Sequence, residues 1–330
     1  MACVLREGKE KRELTHSNEN CIGCGICSDV CPVSALKLGP ILPIARGLLQ
    51  KDSVNINESK CVLCGLCASA CAFNALDLKI NDESIKDMKN YPKWHHGTTI
   101  NKEDCIFCGK CETQCPRDSI AMNRNLPNIQ DLTIGEIKTS IDKCIACKFC
   151  EDICPAGAIS IKVDTDFNAT SIEIDDTKCV YCKVCQRVCP EDAIRAICST
   201  CMESDSIPEV KVDGNILLAE DVCVNCSWCE RICPVEAPKT IKPFEGIVEL
   251  DESEKECKGD SCIACVDVCP CNAITMEDEK PVFDLDVCVL CGACAKVCPK
   301  KCLSVDRTSM KLDNIKSEAW KNILNTIISK

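Results

Sequence analysis

The chain has 330 residues, 37 of them cysteine, a formal charge of −12 and only 3% aromatic side chains. So acidic a surface argues against nucleic acid as a partner, and no apolar run approaches the ~20 residues of a transmembrane helix. Length alone suggests two or three ordinary domains, but a repeat of about forty residues overrides that expectation.

The first residues, Met1 to Glu13, carry Arg6, Lys9, Lys11 and Arg12 and no apolar stretch. No secretory signal is expected, and the expected compartment is the cytoplasm, where thiols stay reduced. The first cysteine run follows: Cys21, Cys24, Cys27 and Cys31, spaced x2, x2, x3. The next is Cys61, Cys64, Cys67 and Cys71; then Cys105, Cys108, Cys111 and Cys115; then Cys144, Cys147, Cys150 and Cys154. Four more follow: Cys179, Cys182, Cys185 and Cys189; Cys223, Cys226, Cys229 and Cys233; Cys257, Cys262, Cys265 and Cys269; Cys288, Cys291, Cys294 and Cys298. Proline follows the last cysteine of every run except the second, where Ala72 stands and adds a backbone N–H.

Three cysteines at two-residue intervals let a tight loop wrap three corners of a four-iron cube. The fourth comes where the chain has turned away, and in two-cluster ferredoxins it ligates the other cluster. The pattern predicts eight [4Fe–4S] clusters on these 32 cysteines and one-electron chemistry. Each oxidised cluster adds about −2, taking the loaded chain to about −28; a basic docking patch on a redox partner is expected. A disulfide scaffold fits poorly with the length and the odd cysteine count, and zinc prefers CxxC pairs separated by longer loops.

Short alternating segments frame the runs. Val54/Ile56 precede Cys61 and Leu76/Leu78 follow Cys71. Residues 81–98, with Tyr91-Pro92-Lys93-Trp94-His95-His96-Gly97, read as a linker or docking insert. Ile100 precedes Cys105, and Ile120/Met122 follow Cys115. Ile159, Ile161 and Val163 share one face of a strand, residues 164–169 read as a turn, and 171–174 return as a second strand. Phe283/Leu285 and Leu303/Val305 flank the last run. The unit is strand, cluster loop, short helical turn, strand. The expected fold class is α+β: four tandem bacterial-type 2[4Fe–4S] ferredoxin modules over 1–80, 99–165, 166–243 and 244–308, joined in sequence order. Pairing of the first run with the eighth is the alternative. Such modules are small, so the clusters should act as core and folding should depend on them. In the tail, 309–330, Ile315, Trp320, Ile323, Leu324, Ile327 and Ile328 form an apolar stripe on a helix expected from Asp313 to Ile328.

The seventh run has a first loop two residues longer, with Cys271 nearby. Cys257 is the expected ligand; a three-iron cluster or a swap to Cys271 is the alternative. Cys3, Cys198, Cys201, Cys271 and Cys302 are left over, and Cys198-x2-Cys201 alone is a weak metal signal. His95 and His96 read as a polar loop feature. No catalytic residue is assigned. Each run supplies four thiolates, so no iron is left open, and Gly23 and Gly25 lie inside a cluster loop rather than in a dinucleotide fingerprint. The alternatives to an electron conduit are an iron–sulfur storage protein and an electron-input enzyme with an unseen flavin site.

Eight fully ligated runs in one chain resemble the polyferredoxins of methanogenic archaea. Among them the chain is most similar to the eight-cluster polyferredoxin subunits of formylmethanofuran dehydrogenases. The resemblance runs from Cys21 to Val305. It implies a non-catalytic electron-transfer subunit of a hetero-oligomeric oxidoreductase complex. Its partner would be a tungsten or molybdenum pterin enzyme that reduces carbon dioxide and joins the product to methanofuran. A hydrogenase, heterodisulfide reductase or soluble ferredoxin would supply low-potential electrons, and attachment to a hydrogenase or heterodisulfide reductase is the runner-up.

Overall fold

The computed structural model describes residues 3–129, 135–197, 212–251 and 257–328. The chain divides into two compact units. One comprises Met1–Thr99, Ala219–Trp228 and Thr240–Lys330; the other comprises Ile100–Leu218 and Cys229–Lys239. The helices that follow the cysteine loops are four or five residues long, and every strand pairing with a described register is antiparallel.

In the first unit, the strand before the first run, Lys11–His16, pairs with the strand after the second, Leu76–Ile80. Inside that pair, Leu36–Leu38 pairs with Val54–Ile56, linking the end of one run to the start of the next. The alternation of side chains along a strand puts Leu14, Leu76 and Leu78 on the inner face, each at most 1% exposed. The seventh and eighth runs repeat the scheme. Phe244–Leu250 pairs with Leu303–Met310 outside, and Ile274–Glu277 with Lys280–Phe283 inside.

The second unit departs from tandem order. Glu136–Thr139 before the fourth run pairs with Ile194–Ile197 after the fifth, and Ile159–Val163 pairs with Ala169–Ile174 between them. The fourth run is therefore joined to the fifth. The strand after the third run, Ile120–Asn125, pairs instead with Asp213–Leu218, which leads into the sixth. The Asn101 N–H, before the third run, donates to Ala237 O, after the sixth, at 2.9 Å. One two-run module is thus inserted within another. This corrects the expected divisions 99–165 and 166–243, and it is not the first-with-eighth alternative. The physical reason is local. A hairpin closed by the short turn at 164–168 costs little loop entropy, so it forms between sequence neighbours. That hairpin is the inner pair of a module, as in the other two simple modules.

Residues 81–98 pack within their own unit. Lys93–Trp94 pairs with Leu312–Asp313. The Trp94 indole N–H donates to Ser69 O at 2.9 Å, and its ring meets Phe244 edge-on at 5.6 Å. His96 Nε2 lies 2.7 Å from the carbonyl of Ala72, the residue that replaces proline in the second run. The tail helix is shorter than expected, Glu318–Asn325, because Ser317 caps it by accepting the Trp320 N–H. Asn314, at φ +57°, instead donates its amide to Lys89 O and Tyr91 O. Leu324 and Ile327 are buried in the core of the first unit.

Candidate iron–sulfur centres

All eight cysteine loops carry one backbone signature. The second residue after the first cysteine has positive φ: Gly23, Leu63, Phe107, Ala146, Tyr181, Asn225, Gly259 and Leu290. So has the residue after the second cysteine: Gly25, Gly65, Gly109, Lys148, Lys183, Ser227, Ile263 and Gly292. So has the third residue after the fourth: Ser34, Asn74, Asp118, Gly157, Asp192, Glu236, Asn272 and Lys301. The angles run from 43° at Ile263 to 90° at Gly65. Leu63, Phe107, Tyr181, Ile263 and Leu290 have no intrinsic reason to be there, and each costs roughly 1–3 kcal/mol. What the conformation yields is a ring of inward N–H groups, a concavity suited to anions and iron–sulfur cores.

Those N–H groups point at sulfur. In the first position Phe107 N donates to Cys105 Sγ and Leu290 N to Cys288 Sγ, both at 3.4 Å. In the second, the N–H groups of Ile26, Lys110, Val184, Trp228 and Ala293 bond Cys24, Cys108, Cys182, Cys226 and Cys291. At the fourth cysteine the donor is four residues on: Ala35 to Cys31 at 3.2 Å, Ala158 to Cys154 at 3.3 Å, Ala193 to Cys189 at 3.2 Å, Ala237 to Cys233 at 3.4 Å and Ala273 to Cys269 at 3.3 Å. Ser119 gives Cys115 both its N–H, at 3.4 Å, and a hydroxyl at 3.2 Å. The same position after the eighth run is Cys302, 1% exposed, its Sγ 3.4 Å from Cys298 Sγ. Hydrogen bonds to a sulfur favour its thiolate form.

The thiols converge in crossed quartets. Cys21, Cys24 and Cys27 line a cavity with Cys71; Cys179, Cys182 and Cys185 line another with Cys154; Cys257, Cys262 and Cys265 line a third with Cys298 and Cys302. Elsewhere the pairing shows in mutual repulsion. Cys31 acts on Cys67, Cys233 on Cys105 and Cys108, Cys189 on Cys150, and Cys269 on Cys291 and Cys294. Burial is the larger cause in each case and drives the thiols up. Cys111, Cys185 and Cys294 reach about 12, and Cys150 and Cys265 about 11. Thiolates this unfavourable alone need cationic iron. Among the described residues no three His, Cys, Asp or Glu side chains converge on a single ion. A four-iron cube instead takes one thiolate at each corner, across a cavity, and these quartets fit it.

In the seventh run the longer loop is taken up by a single turn, Gly259–Ser261, and Gly259 keeps the positive φ of its position. Cys257 therefore still faces the cavity. Cys271 faces elsewhere: its thiol bonds Cys226, which lowers the Cys226 thiol and raises that of Cys271. Cys3 is exposed beside Glu13. Cys198 and Cys201 lie outside the described residues. Sequence reasoning missed Arg307, a buried cation against the eighth loop. Its signal was a charged residue at an inward strand position, between Val305 and Ser309.

Comparison with known proteins agrees. The family described as the 4Fe-4S dicluster domain matches residues 20–75, 60–119, 143–193 and 256–302, more than half of the chain. The chain belongs to this family. Three of the matches coincide with modules of the fold; the fourth, 60–119, spans the second and third runs, adjacent in sequence but in different modules. Among curated relatives, Polyferredoxin protein FwdF of Methanocaldococcus jannaschii is 54% identical over 91 residues, 27% of this chain and 26% of that one. A 7Fe ferredoxin of Hydrogenibacillus schlegelii is 44% identical over 43 residues, 13% of this chain and 55% of that one. The chain therefore spans about a quarter and about half of these relatives. Among solved structures, a chain of the formate dehydrogenase–heterodisulfide reductase–formylmethanofuran dehydrogenase complex from Methanospirillum hungatei matches with a TM-score of 0.62 at 27% identity. That match covers 99% of this chain and 88% of the other. Among the described residues no helix is long and apolar enough to cross a membrane.

Proposed function

We propose that the chain is a cytoplasmic electron conduit of eight [4Fe–4S] clusters on the 32 cysteines of its runs. In this reading it feeds low-potential electrons to a tungsten or molybdenum pterin enzyme that makes formylmethanofuran from carbon dioxide. The observation that carries the proposal is the chain-long match to a chain of the Methanospirillum hungatei complex of formate dehydrogenase, heterodisulfide reductase and formylmethanofuran dehydrogenase. A conduit needs fully ligated, enclosed clusters and no substrate site, and the crossed quartets suit that. The clusters supply reversible one-electron storage. The chain's own groups hold the thiolates, exclude water and set the charge around them.

Of the 32 cysteines, Cys147 alone is exposed. It sits between Ile145, 60% exposed, and Phe149, 45% exposed, with Lys110 Nζ 4.2 Å from the Phe149 ring. We assign this loop to electron exchange with an external donor, since tunnelling needs close approach and an apolar rim excludes water there. The same Methanospirillum hungatei complex also contains heterodisulfide reductase, which suits the donor role. Anaerobic native mass spectrometry tests the assignment: the chain should co-purify with a pterin-bearing tungsten or molybdenum subunit. A nickel hydrogenase or heterodisulfide reductase as sole stoichiometric partner would refute the formylmethanofuran reading and leave the conduit standing.

A further inference from the structure

Arg307 is 8% exposed, in the strand that follows the eighth run. All three of its guanidinium nitrogens donate a hydrogen bond, each to a neutral carbonyl. Nε donates to Leu290 O at 2.7 Å, Nη2 to Cys291 O at 2.8 Å, and Nη1 to Ile327 O at 3.2 Å. It also lies over the Phe244 ring at 5.0 Å. The first two carbonyls belong to the eighth cysteine loop. Gly292 makes the approach possible, since a Cβ there would stand 2.9 Å from Nη2. The carboxylate that acts on it, Asp29, is occupied by Lys296, at 2.8 Å to both carboxylate oxygens.

A buried charge is costly unless an opposite charge answers it. Here no carboxylate among the described residues bonds Arg307. Besides Asp29, already paired with Lys296, the anionic groups within its field are the thiols Cys291, Cys24 and Cys294, ligand positions of the eighth and first runs. Cys291 acts on Cys24, and Lys296 in the helix after the eighth loop reaches Asp29 in the helix after the first, so these two sites are neighbours. A [4Fe–4S] core with four thiolates carries about −2 when oxidised and one more negative charge when reduced. A fixed cation beside it stabilises the reduced form more than the oxidised one.

We propose that Arg307 is the counter-cation of the clusters at the first and eighth runs and raises their reduction potentials, the eighth most. The eighth cluster then takes one electron from a neighbour or an external reductant, with no bond made or broken and no proton moved, and is a preferred resting place for it. The inference rests on the family's clusters and not on which enzyme receives the electrons, so the partner assignment can fail without touching it.

The test is a redox titration of the intact, loaded chain, followed by electron paramagnetic resonance. The eighth-cluster signal is identified by its change in Cys288→Ser. In Arg307→Gln the ratio of reduced to oxidised eighth cluster at fixed potential should fall at least tenfold, a shift of ~59 mV for one electron. Arg307→Lys keeps the charge while losing the fork of hydrogen bonds, and should stay within about threefold of the parent. No shift in Arg307→Gln, or equal shifts in both variants at full iron content, overturns the proposal. If Arg307→Gln loses four irons and Arg307→Lys keeps them, the charge is required and the proposal holds. Loss in both makes the residue structural and refutes it.

Discussion

The nested module makes a prediction that tandem pairing contradicts. In the structure Cys233 belongs with Cys105 and Cys108, and Cys154 with Cys179, Cys182 and Cys185. In tandem order Cys233 would instead complete the cluster of Cys179, Cys182 and Cys185. Eight clusters at four irons each give about 32 irons per chain. Cys233→Ser removes one thiolate and should cost one cluster, leaving about 28 irons, or about 31 if a three-iron core survives. Adding Cys105→Ser strikes the same cluster, so iron should fall no further than about 28. Adding Cys179→Ser strikes a second, so iron should fall to about 24. This is the logic of a double-mutant cycle read in iron instead of free energy. Iron and sulfide assays on anaerobically purified variants decide it. If Cys233→Ser and Cys179→Ser together leave about 28 irons while Cys233→Ser and Cys105→Ser leave about 24, the nested pairing is wrong.

The residues between the outer strands Glu136–Thr139 and Ile194–Ile197 should fold alone. A fragment of residues 135–197 should hold about eight irons, whereas 99–165 should hold none stably; iron analysis after gel filtration checks both. Chelating iron under reducing conditions should abolish cooperative thermal unfolding, because the buried ligand thiols lose their cations and the strained loops lose what holds them; calorimetry reads this. Any compact metal-free state should weaken as pH rises. Thiols raised by burial favour the folded chain below their ordinary value near 9, and Cys185 and Cys294 lose that contribution as pH climbs from 9 towards 12. A metal-free state that circular dichroism finds more ordered at pH 11 than at pH 8 would contradict the sign. Finally, Phe149→Ala with Ile145→Ser should slow electron uptake from an external ferredoxin several-fold with iron content unchanged, as stopped-flow bleaching would show.

Much of the site was legible because cluster ligation writes itself into short-range spacing. The eight runs, and the uneven loop after Cys257, stand in the sequence at fixed offsets. The partner of each run did not, because every run is chemically equivalent and spacing between runs barely varies. The decisive signal was present but misweighted. Ile159, Ile161 and Val163 turning back onto Ile172 and Ile174 is the inner hairpin of a module, so it joins the fourth run to the fifth. Reading it as a boundary placed a division through the middle of a β-ladder. The tail failed for a different reason. The apolar period at Ile315 continues upstream of Ser317, but a cap and the left-handed Asn314 stop the helix, and local hydrogen bonding outweighs periodicity.

Loop strain and thiol burial have a common cause. Among the described residues, twenty-three other than glycine take positive φ, and most fall at the repeated positions of the cysteine loops. In a chain that folded by apolar burial alone these would be selected against, as would thiolates forced into sites where thiols titrate near 12. Both become favourable only when iron and sulfide occupy the cavity: the inward N–H groups then meet anionic sulfur, and the deprotonated thiols meet cationic iron. The energy that orders these loops therefore lies in metal–sulfur bonds more than in side-chain packing. That explains how a chain with so few aromatic residues holds its short strands and one-turn helices in place. It also bears on the proposed conduction. Loops fixed by ligation reorganise little when an electron arrives, and the charge that the electron adds is met by N–H groups already aimed at sulfur. What remains adjustable is the charge just outside the loops, where residues such as Arg307 can distinguish clusters whose own ligands are alike.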